Sequence, residues 1–430
     1  MPPRTGGNGL ENCRLCRLRA TRSALFTMGW ASRVLLVTLL LVALADAQSK
    51  SGSEPAAEPS SGGKSSGSGT NPALHVINER ILLSAAYAYE DDNEVVCIFC
   101  LLQLLAAAHT MGNDLVRREI ETSLQSREPG RLGEALLQLV SGAPTLSGTF
   151  AGLYQKDALP KCELQPAWRR SERCYAIERF INLRGTKVDF TQPGTTSLIN
   201  SLIDNASGNM IQQMFPPLPT SSQLVFASVL VFRDTWRQRL YWQPGSFTTF
   251  YGNLSAETLI QQDYLPLLDG SSDGVIGVSL PYSMPGMRMM LFTTSDGGSV
   301  VERLRTVHYR ALAGAPLTYT TVFFPRFSVW SNKYSYADMA QQMGISEMFR
   351  GGLGLGDRLR MELFVQRAIV SADVDGTDSL TPAPEAVWDG GHHPTPVQVV
   401  FDRPFVCSLV HSELDVPFFT AVIRDPTRFY

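Results

Sequence analysis

Apolar residues recur at helical spacing in several stretches of the N-terminal half. Residues 74–90 and 99–110 each carry an apolar face, which predicts two helices that pack on each other. Residues 132–140 and 197–214 show the same period and predict two further helices. These four predicted helices precede the predicted strands in a mixed chain.

Alternating or continuous apolar runs bounded by turn residues dominate the rest of the chain. They predict strands over residues 223–232, 275–281, 287–294, 317–324, 397–401 and 405–410. No motif repeats at a period of about 20 to 50 residues, and no linker interrupts residues 72–430. We therefore expect one α+β domain over residues 72–430.

A short apolar run near the N-terminus indicates the compartment. Residues 34–44 are apolar except for Thr38, and Ala45-Asp46-Ala47 matches a signal-peptide cleavage site. Residues 1–47 are therefore predicted to be a signal peptide, with Met28 as an alternative start. The run is shorter than the roughly 20 residues that span a bilayer, so we expect a secreted, extracellular protein without a membrane span.

The segment over residues 48–71 consists mainly of Ser, Gly, Pro and Ala. It offers little apolar surface to bury, so we predict a flexible leader ahead of the domain. Two Asn-X-Ser triplets further along the chain, at Asn205 and Asn253, are predicted glycosylation sites in a secreted protein.

The composition fits a globular protein and argues against nucleic-acid binding. The chain has 430 residues, of which 44% are apolar and 18% charged, so it can bury a large core. Its formal net charge of −3 gives no general attraction to nucleic acid or to an anionic membrane. We expect neither as a partner.

Five cysteines follow the predicted signal peptide. Cys162 and Cys174 lie close together around a polar stretch, which predicts a disulfide bond between them. Cys97 and Cys100 lie in an apolar run, and we interpret them as buried structural thiols in preference to a redox pair. The odd number of cysteines leaves at least one thiol free.

Catalytic and metal-binding patterns are largely absent from the sequence. There is no G-x-S-x-G elbow, phosphate loop or H-E-x-x-H motif. His392 and His393 are adjacent on a Gly/Pro loop, where neighbouring side chains diverge, so we interpret them as solvated. The acidic run from Asp373 to Asp378 has Pro384 where a calcium loop needs an acid. We expect no enzyme activity, metal or cofactor.

Several separated motifs occur in an order that resembles the serpin superfamily over nearly all of residues 74–430. They are INSLIDNASGNMI at 199–211, LVFASVLVFRDTW at 224–236, LPY at 280–282, PRF at 325–327, MGI at 343–345, and FDRPF at 401–405 followed by RDP at 424–426. The resemblance is cumulative, since no single motif carries it. It implies the serpin fold, an α+β structure in which helices surround three β-sheets and a reactive-centre loop is exposed.

The resemblance also implies a role for the polar segment over residues 376–400. Gly376-Thr377 match the hinge of the serpin reactive-centre loop, and the Pro-rich residues before Phe401 match its return into a sheet. In the family, a protease cleaves the loop, and the N-terminal half then inserts as an extra strand into the central sheet and distorts the protease. The implied partner is an extracellular protease or another protein ligand.

Two prolines conflict with this insertion. Pro382 and Pro384 lack a backbone N–H and are poorly tolerated in a central strand. The unpaired carbonyls would cost on the order of 1–3 kcal/mol each. We therefore predict a weakly inhibitory or non-inhibitory serpin. The alternative is a working inhibitor of a serine or cysteine protease that needs no basic residue at the cut.

Positions beneath and beside the central sheet also depart from the family pattern. The resemblance places Ser228, Trp236 and Gln366 on the shutter and breach positions, with Ser228 and Gln366 replacing an Asn and a His. Residues 97–100 replace an early Ser-Pro segment of the same buried network. We interpret these changes as a network rebuilt for a different sheet equilibrium, and a local misalignment is the alternative.

The position of the scissile bond stays open between two alternatives. The candidate region comprises Trp388, Asp389, Gly390, Gly391, His392, His393 and Pro394. Family spacing from the hinge gives the 390–391 bond, whereas spacing back from Phe401 gives the 393–394 bond. The loop has no Lys or Arg, which argues against trypsin-like targets. Trp388 suits a chymotrypsin-like pocket and Asp389 suits a protease that reads Asp.

A basic cluster between residues 161 and 187 is a second candidate partner site. Its members are Lys161, Arg169, Arg170, Arg173, Arg179, Arg184 and Lys187. Such a patch suits weak binding of a sulfated polysaccharide. The interleaved glutamates favour a salt-bridged, solvated surface as the alternative. We expect the protein to be a monomer.

Overall fold

The computed structural model describes most of the chain beyond residue 92. The described residues are 93–127, 145–155, 174–177, 185–206, 211–250, 254–271, 273–304, 309–330, 336–354, 359–361, 363–367, 369–373, 376–377, 394–412 and 416–428, with single residues 129, 138, 172 and 209. All of them belong to the compact unit Gly69–Tyr430. The predicted signal peptide, leader and the helices over 74–90 and 132–140 lie outside them.

The helices of the described residues are few and mostly short. They are α1 (Ile98–Met111), α2 (Asp114–Leu124), α3 (Thr195–Ala206), α4 (Val300–Arg303), α5 (Tyr309–Ala313), α6 (Ala337–Gln342) and α7 (Glu347–Arg350). Helix α1 confirms the prediction over 99–110. Helix α3 ends well before the predicted residue 214, because Asn209 takes a left-handed φ of 66° and its N–H closes the helix on the Asp204 carbonyl. No described helix has both the length and the apolarity to cross a membrane.

Strands make up most of the described structure. They are β1 (Glu94–Cys97), β2 (Leu146–Gln155), β3 (Gly185–Val188), β4 (Leu224–Phe232), β5 (Asp234–Thr235), β6 (Tyr241–Phe250), β7 (Leu254–Asp269), β8 (Val275–Pro281), β9 (Met287–Thr294), β10 (Leu317–Pro325), β11 (Phe327–Trp330), β12 (Leu363–Arg367), β13 (Ile369–Ala372), β14 (Gly376–Thr377), β15 (Val397–Val400), β16 (Phe405–His411) and β17 (Val416–Ile423). All six predicted strands are confirmed to within a residue at each end.

Two larger sheets and two two-stranded sheets contain these strands. In the described residues, the long sheet runs in the order β1-β17-β16-β9-β8-β7-β10-β15, with β6 also paired to β7. The central sheet has the order β12-β4-β2-β3. Strand β13 follows β12 after one residue and pairs with β11 in a separate two-stranded sheet, and β14 pairs with β5 in another. The arrangement is the predicted α+β architecture of helices around mixed sheets.

Strand β4 is buried on both faces, and all nine of its residues are inaccessible. Phe226 and Leu230 belong to the main core together with the apolar residues of α1. Val225 and Val229 face the opposite way and pack with Ile199 of α3 in a second cluster. This alternation is the period of two expected of a strand, so α1 and α3 cover opposite faces of the central sheet.

The cysteines differ in part from the prediction. Cys97 and Cys100 form a disulfide bond, so their interpretation as buried free thiols is wrong. Cys97 is the N-cap residue of α1, and this cap geometry brings the two Cα atoms within 5.2 Å. Cys407 is the expected free thiol and is buried. Cys174 is also disulfide-bonded. Since Cys162 lies outside the described residues, its pairing with Cys174 stays a prediction.

Candidate functional site at the reactive-loop hinge

The predicted hinge lies at one end of the central sheet. Gly376 and Thr377 form β14, which pairs antiparallel with Thr235 and Asp234 of β5. Strand β5 continues β4 after Arg233, whose backbone N–H donates to the Thr145 carbonyl at 2.9 Å. The first residues of the loop therefore lie along the extension of β4.

The turn between β8 and β9 holds β5 in place. The backbone N–H of Ser283 donates to the Thr235 carbonyl at 2.8 Å. The Asp234 carboxylate accepts from the backbone N–H groups of Met284, at 2.7 Å, and of Thr235, at 2.9 Å. Partial burial raises the pKa of Asp234, and these two hydrogen bonds act in the opposite direction. The hinge is thus paired to a strand whose own position is fixed.

Trp236 connects the end of β5 to the segment that precedes the hinge. Its ring is 3% exposed and stacks on Tyr282, with centroids 4.4 Å apart and planes inclined by 13°. The indole Nε1–H donates to the backbone carbonyl of Asp373 at 2.8 Å. A buried aromatic ring with a satisfied N–H is a rigid anchor, so Trp236 fixes the path of the chain just before Gly376.

Arg326 forms a second connection to the same segment. Its guanidinium donates to the carboxylates of Glu257, at 2.9 Å, and Asp373, at 2.7 Å. The hydrogen bond with Glu257 and the nearby Asp373 raise the pKa of Arg326, against the effect of burial, so the group remains charged. Because the arginine is 44% exposed, each ion pair contributes little to stability. We call Asp234, Thr235, Trp236, Arg326 and Asp373 the hinge seat.

The central sheet is closed beside the hinge. Strands β4 and β12 pair directly and in parallel, from Val225 with Leu363 to Val229 with Arg367. We call this pairing the seam. A strand inserted between β4 and β12 would have to replace it.

The predicted shutter positions meet within the seam. Ser228 lies in register with Gln366 on one side and with Phe150 on the other. Its side chain is fully buried, and its Oγ finds no hydrogen-bond partner in the described part of the chain. A rebuilt polar network would be expected to satisfy this hydroxyl, so at Ser228 the geometry differs from that interpretation. Trp236, which the resemblance places with them among the shutter and breach positions, lies in the hinge seat.

Several predicted site residues lie outside the described residues. They are Pro382, Pro384, Trp388, Asp389, Gly390, Gly391, His392, His393, Asn253, Cys162 and most of the basic cluster. Pro394 is described, is exposed, and leads into β15. Asn205 is exposed on the last turn of α3, and Lys187 is exposed in β3.

Sequence reasoning missed the polar members of the hinge seat. In the sequence, Asp373 belongs to an acidic run and Arg326 is the middle residue of the PRF motif. Their ion pair joins residues 47 positions apart, and no local pattern predicts it. The only signal available was the position of each residue at the end of an apolar run.

The family model described as "Serpin (serine protease inhibitor)" matches residues 170–426. This match covers more than half of the chain and includes β4, the seam, the hinge and the return strand. The protein belongs to the serpin family. The six ordered motifs of the sequence and the antiparallel seating of Gly376-Thr377 agree with this assignment.

Known proteins of the family resemble this chain at a distance. Iripin-3 of Ixodes ricinus is 26% identical over 210 residues, which is 45% of this chain and 53% of that protein. Alpha-1-antiproteinase of Rattus norvegicus is 30% identical over 242 residues, 54% of this chain and 58% of that protein. The chain thus spans little more than half the length of these curated relatives in sequence.

Solved structures show the same fold over a larger share of the chain. Native protease nexin-1 with heparin matches with a TM-score of 0.66 and 14% identity, over 82% of this chain and 98% of that one. The thermophilic serpin tengpin in its native state matches with a TM-score of 0.69 and 14% identity, over 82% and 94%. At this identity the likeness concerns the fold alone.

Proposed function

We propose that this protein is a secreted serpin that displays its reactive-centre loop to an extracellular protease or another protein ligand, and that it inhibits weakly or not at all. The matching family model is described as that of serine protease inhibitors, so the proposal concerns how well the trapping step works in this chain. It predicts a binding protein or a substrate, without catalytic activity of its own.

The observation that carries the proposal is the register of the hinge. Gly376 opposes Thr235 and Thr377 opposes Asp234, antiparallel, which is the direction an inserted strand would take along β4. Continued in this register, Pro382 would oppose Val229 and Pro384 would oppose Ala227. Residues two apart share a face and a hydrogen-bonding edge, so both missing N–H groups would fall on the same neighbour, either β4 or β12.

The same register brings a charge into the core. Glu385 would oppose Phe226, and directly opposed residues of an antiparallel pair project to the same side of the sheet. Phe226 is 1% exposed in the main core beneath α1. An unpaired carboxylate there would have to take up a proton or lose several kcal/mol of hydration. Insertion would thus meet an electrostatic penalty in addition to the two prolines.

Secretion is supported by the disulfide bonds. Cys97 is bonded to Cys100, and Cys174 is bonded as well. Such bonds persist mainly in oxidising compartments. The exposed position of Asn205 is compatible with glycosylation of its Asn-Ala-Ser triplet. For a sulfated polysaccharide the support is weaker: Lys187 is exposed, and a structural neighbour was solved with heparin.

Cleavage of the loop followed by thermal unfolding tests the proposal. Because the loop of the cleaved wild-type protein does not insert, its melting temperature should stay within about 4 °C of that of the intact protein. The variant Pro382→Ala/Pro384→Ala/Glu385→Ala should melt well above its own intact form once cleaved. Pro396→Ala, on the C-terminal side of the candidate cuts, is the matched control and should behave as wild type.

Two outcomes would change the proposal. A large stabilisation of cleaved wild-type protein would contradict it and favour a working inhibitor. So would a covalent complex, visible on a denaturing gel, after incubation with any protease of a serine and cysteine protease panel. If the triple variant gains no stability on cleavage, the block lies in the seam and not in the loop.

A further inference from the structure

The disulfide bond between Cys97 and Cys100 joins a strand to a helix in the protein interior. Cys97 is the last residue of β1 and the N-cap of α1, and Cys100 lies in the first turn of α1. Both residues are fully buried. The Cys97 sulfur also accepts from the Cys100 backbone N–H at 3.1 Å, so the bond occupies the capping position that a serine or threonine hydroxyl would normally fill.

The two elements joined at this point belong to different parts of the fold. Strand β1 pairs antiparallel with β17 over four residues, Cys97 opposite Phe419, and is therefore part of the long sheet. Helix α1 packs against β4, β2 and β12, beneath both strands of the seam, and also against β17 of the long sheet. The disulfide thus closes the first turn of α1, the helix on which the seam packs, onto the end of β1.

We propose that this bond is a redox-sensitive clasp on the seam. When it is oxidised, the first turn of α1 is locked onto its N-cap residue at the end of β1, and β4 and β12 keep the helix on which both pack. When it is reduced, the first turn of α1 is free to shift, and the strands of the seam separate more often. This effect depends only on the position of the bond, so it is independent of whether the protein inhibits a protease.

The chemistry requires an external dithiol. Its thiolate attacks one sulfur of the pair, the Cys97–Cys100 bond breaks, and the other cysteine leaves as a thiolate and takes up a proton. The second thiol of the reagent then attacks the mixed disulfide and releases the first cysteine. The protein disulfide gains two electrons, and the dithiol is oxidised to its own disulfide.

Because the Cys97–Cys100 bond is buried, its reduction depends on an opening of the fold. Since neither sulfur is accessible in the closed fold, a dithiol reaches the bond only after α1 and the sheet have moved apart. If reduction favours the open seam, opening must favour reduction to the same degree. The closed protein should therefore resist a dithiol, whereas conditions that open the seam should expose the bond.

Amide hydrogen exchange of the purified full-length protein tests the proposal. It is followed by mass spectrometry on β4 and β12 before and after treatment with dithiothreitol, and alkylation of the released thiols shows which bonds have opened. Reduction of Cys97–Cys100 should speed exchange in the seam by about tenfold, the size of effect that loss of a short disulfide loop can produce. Exchange in β8 and β9, which lie further from β1 in the long sheet than β16 and β17 do, should change much less.

Two variants separate the clasp from other thiols. Cys97→Ser/Cys100→Ser leaves the Cys174 bond intact and retains a hydroxyl for the cap, so it should show the fast seam exchange without reductant. Cys407→Ser removes the buried free thiol of β16 and should exchange as wild type. If the double variant does not fold, the reduced wild-type protein still provides the measurement. Equal seam exchange in the oxidised and reduced forms would overturn the proposal, as would an equal increase in β8 and β9.

Discussion

The seam and the β16–β17 pair of the long sheet are both buried strand pairings, but they are held together differently. Strands β16 and β17 are antiparallel and paired over seven positions, with one irregularity between Leu409 and Val410. Strands β4 and β12 are parallel and paired over five. Parallel pairing is slightly less stable per residue, so the seam is held by fewer and weaker contacts.

Buried hydroxyl groups show the same contrast. In the long sheet, the Ser408 hydroxyl donates to the Thr420 hydroxyl at 3.1 Å, and both residues are fully buried. In the seam, the equally buried Ser228 hydroxyl has no such partner among the described residues. An unsatisfied buried hydroxyl costs free energy that any opening of the sheet recovers. Of these two strand pairs, the seam should therefore open more easily than β16 and β17.

Replacing a buried phenylalanine by alanine in each region should give the largest difference in the free energy of unfolding. Phe418 in β17 and Phe226 in β4 are both almost completely buried. Phe418→Ala should lower the free energy of unfolding by about 3–5 kcal/mol, and Phe226→Ala by roughly 1 kcal/mol less, because the seam can collapse further onto its cavity. Denaturant unfolding measures both. An equal or larger loss for Phe226→Ala would mean that the seam is as rigid as the long sheet.

Removal of each buried hydroxyl should give effects of opposite sign. Ser408→Ala leaves the Thr420 hydroxyl without its donor and should cost on the order of 1–2 kcal/mol of unfolding free energy. Ser228→Ala removes an unpartnered polar atom and should be neutral or stabilising by up to about 1 kcal/mol. The same unfolding experiment compares them. Clear destabilisation by Ser228→Ala would show that this hydroxyl takes part in a network, as first interpreted from the sequence.

The hinge seat should respond separately from the seam. Trp236→Phe keeps an aromatic ring on Tyr282 but removes the N–H that donates to the Asp373 carbonyl. This loss should lower the free energy of unfolding by about 1 kcal/mol. Amide exchange at Gly376 and Thr377 should become faster, while exchange in β12 stays unchanged. If β12 exchanges faster as well, the hinge seat and the seam open as one unit, and both are held less firmly than the β16–β17 pair.

In the central sheet only β4 was predicted from local sequence, because it is an almost unbroken apolar run buried on both faces, whereas β2, β3 and β12 were missed. Strand β7 was not predicted, since polar Thr258 and Gln261 occupy buried positions and obscure its period of two. Helix α2 was missed for a related reason: only Val116, Ile120 and Leu124 form its apolar face, a stripe too narrow to stand out from the polar residues around it.

Only part of the candidate site could be predicted from the sequence. The family resemblance led to Gly376-Thr377, and the structure gives these residues a partner strand. The ion pairs of Arg326 and the bond between Cys97 and Cys100 depend on tertiary geometry. For the cysteines, an apolar context predicted thiols, whereas the cap position at the junction of β1 and α1 determines the disulfide.

The smallest expected effect concerns Asp234, where the extension of the seam meets the hinge. Burial is the main cause that raises its pKa above the ordinary value of 3.8, so the ionised carboxylate disfavours the folded state near neutral pH. This penalty is relieved as the pH falls through the raised folded-state pKa toward 3.8, because the folded protein then takes up a proton before the unfolded chain does.

Asp234→Asn cannot titrate, although its side-chain carbonyl can still accept from the Met284 N–H. The stability of wild type relative to Asp234→Asn should therefore increase as the pH is lowered over this range, by a small amount because the residue is partly exposed. Urea unfolding of both proteins at several pH values measures the difference. A change in the opposite direction would mean that the hydrogen bonds from Met284 and Thr235 outweigh burial, and that the end of the seam is held more firmly than its middle.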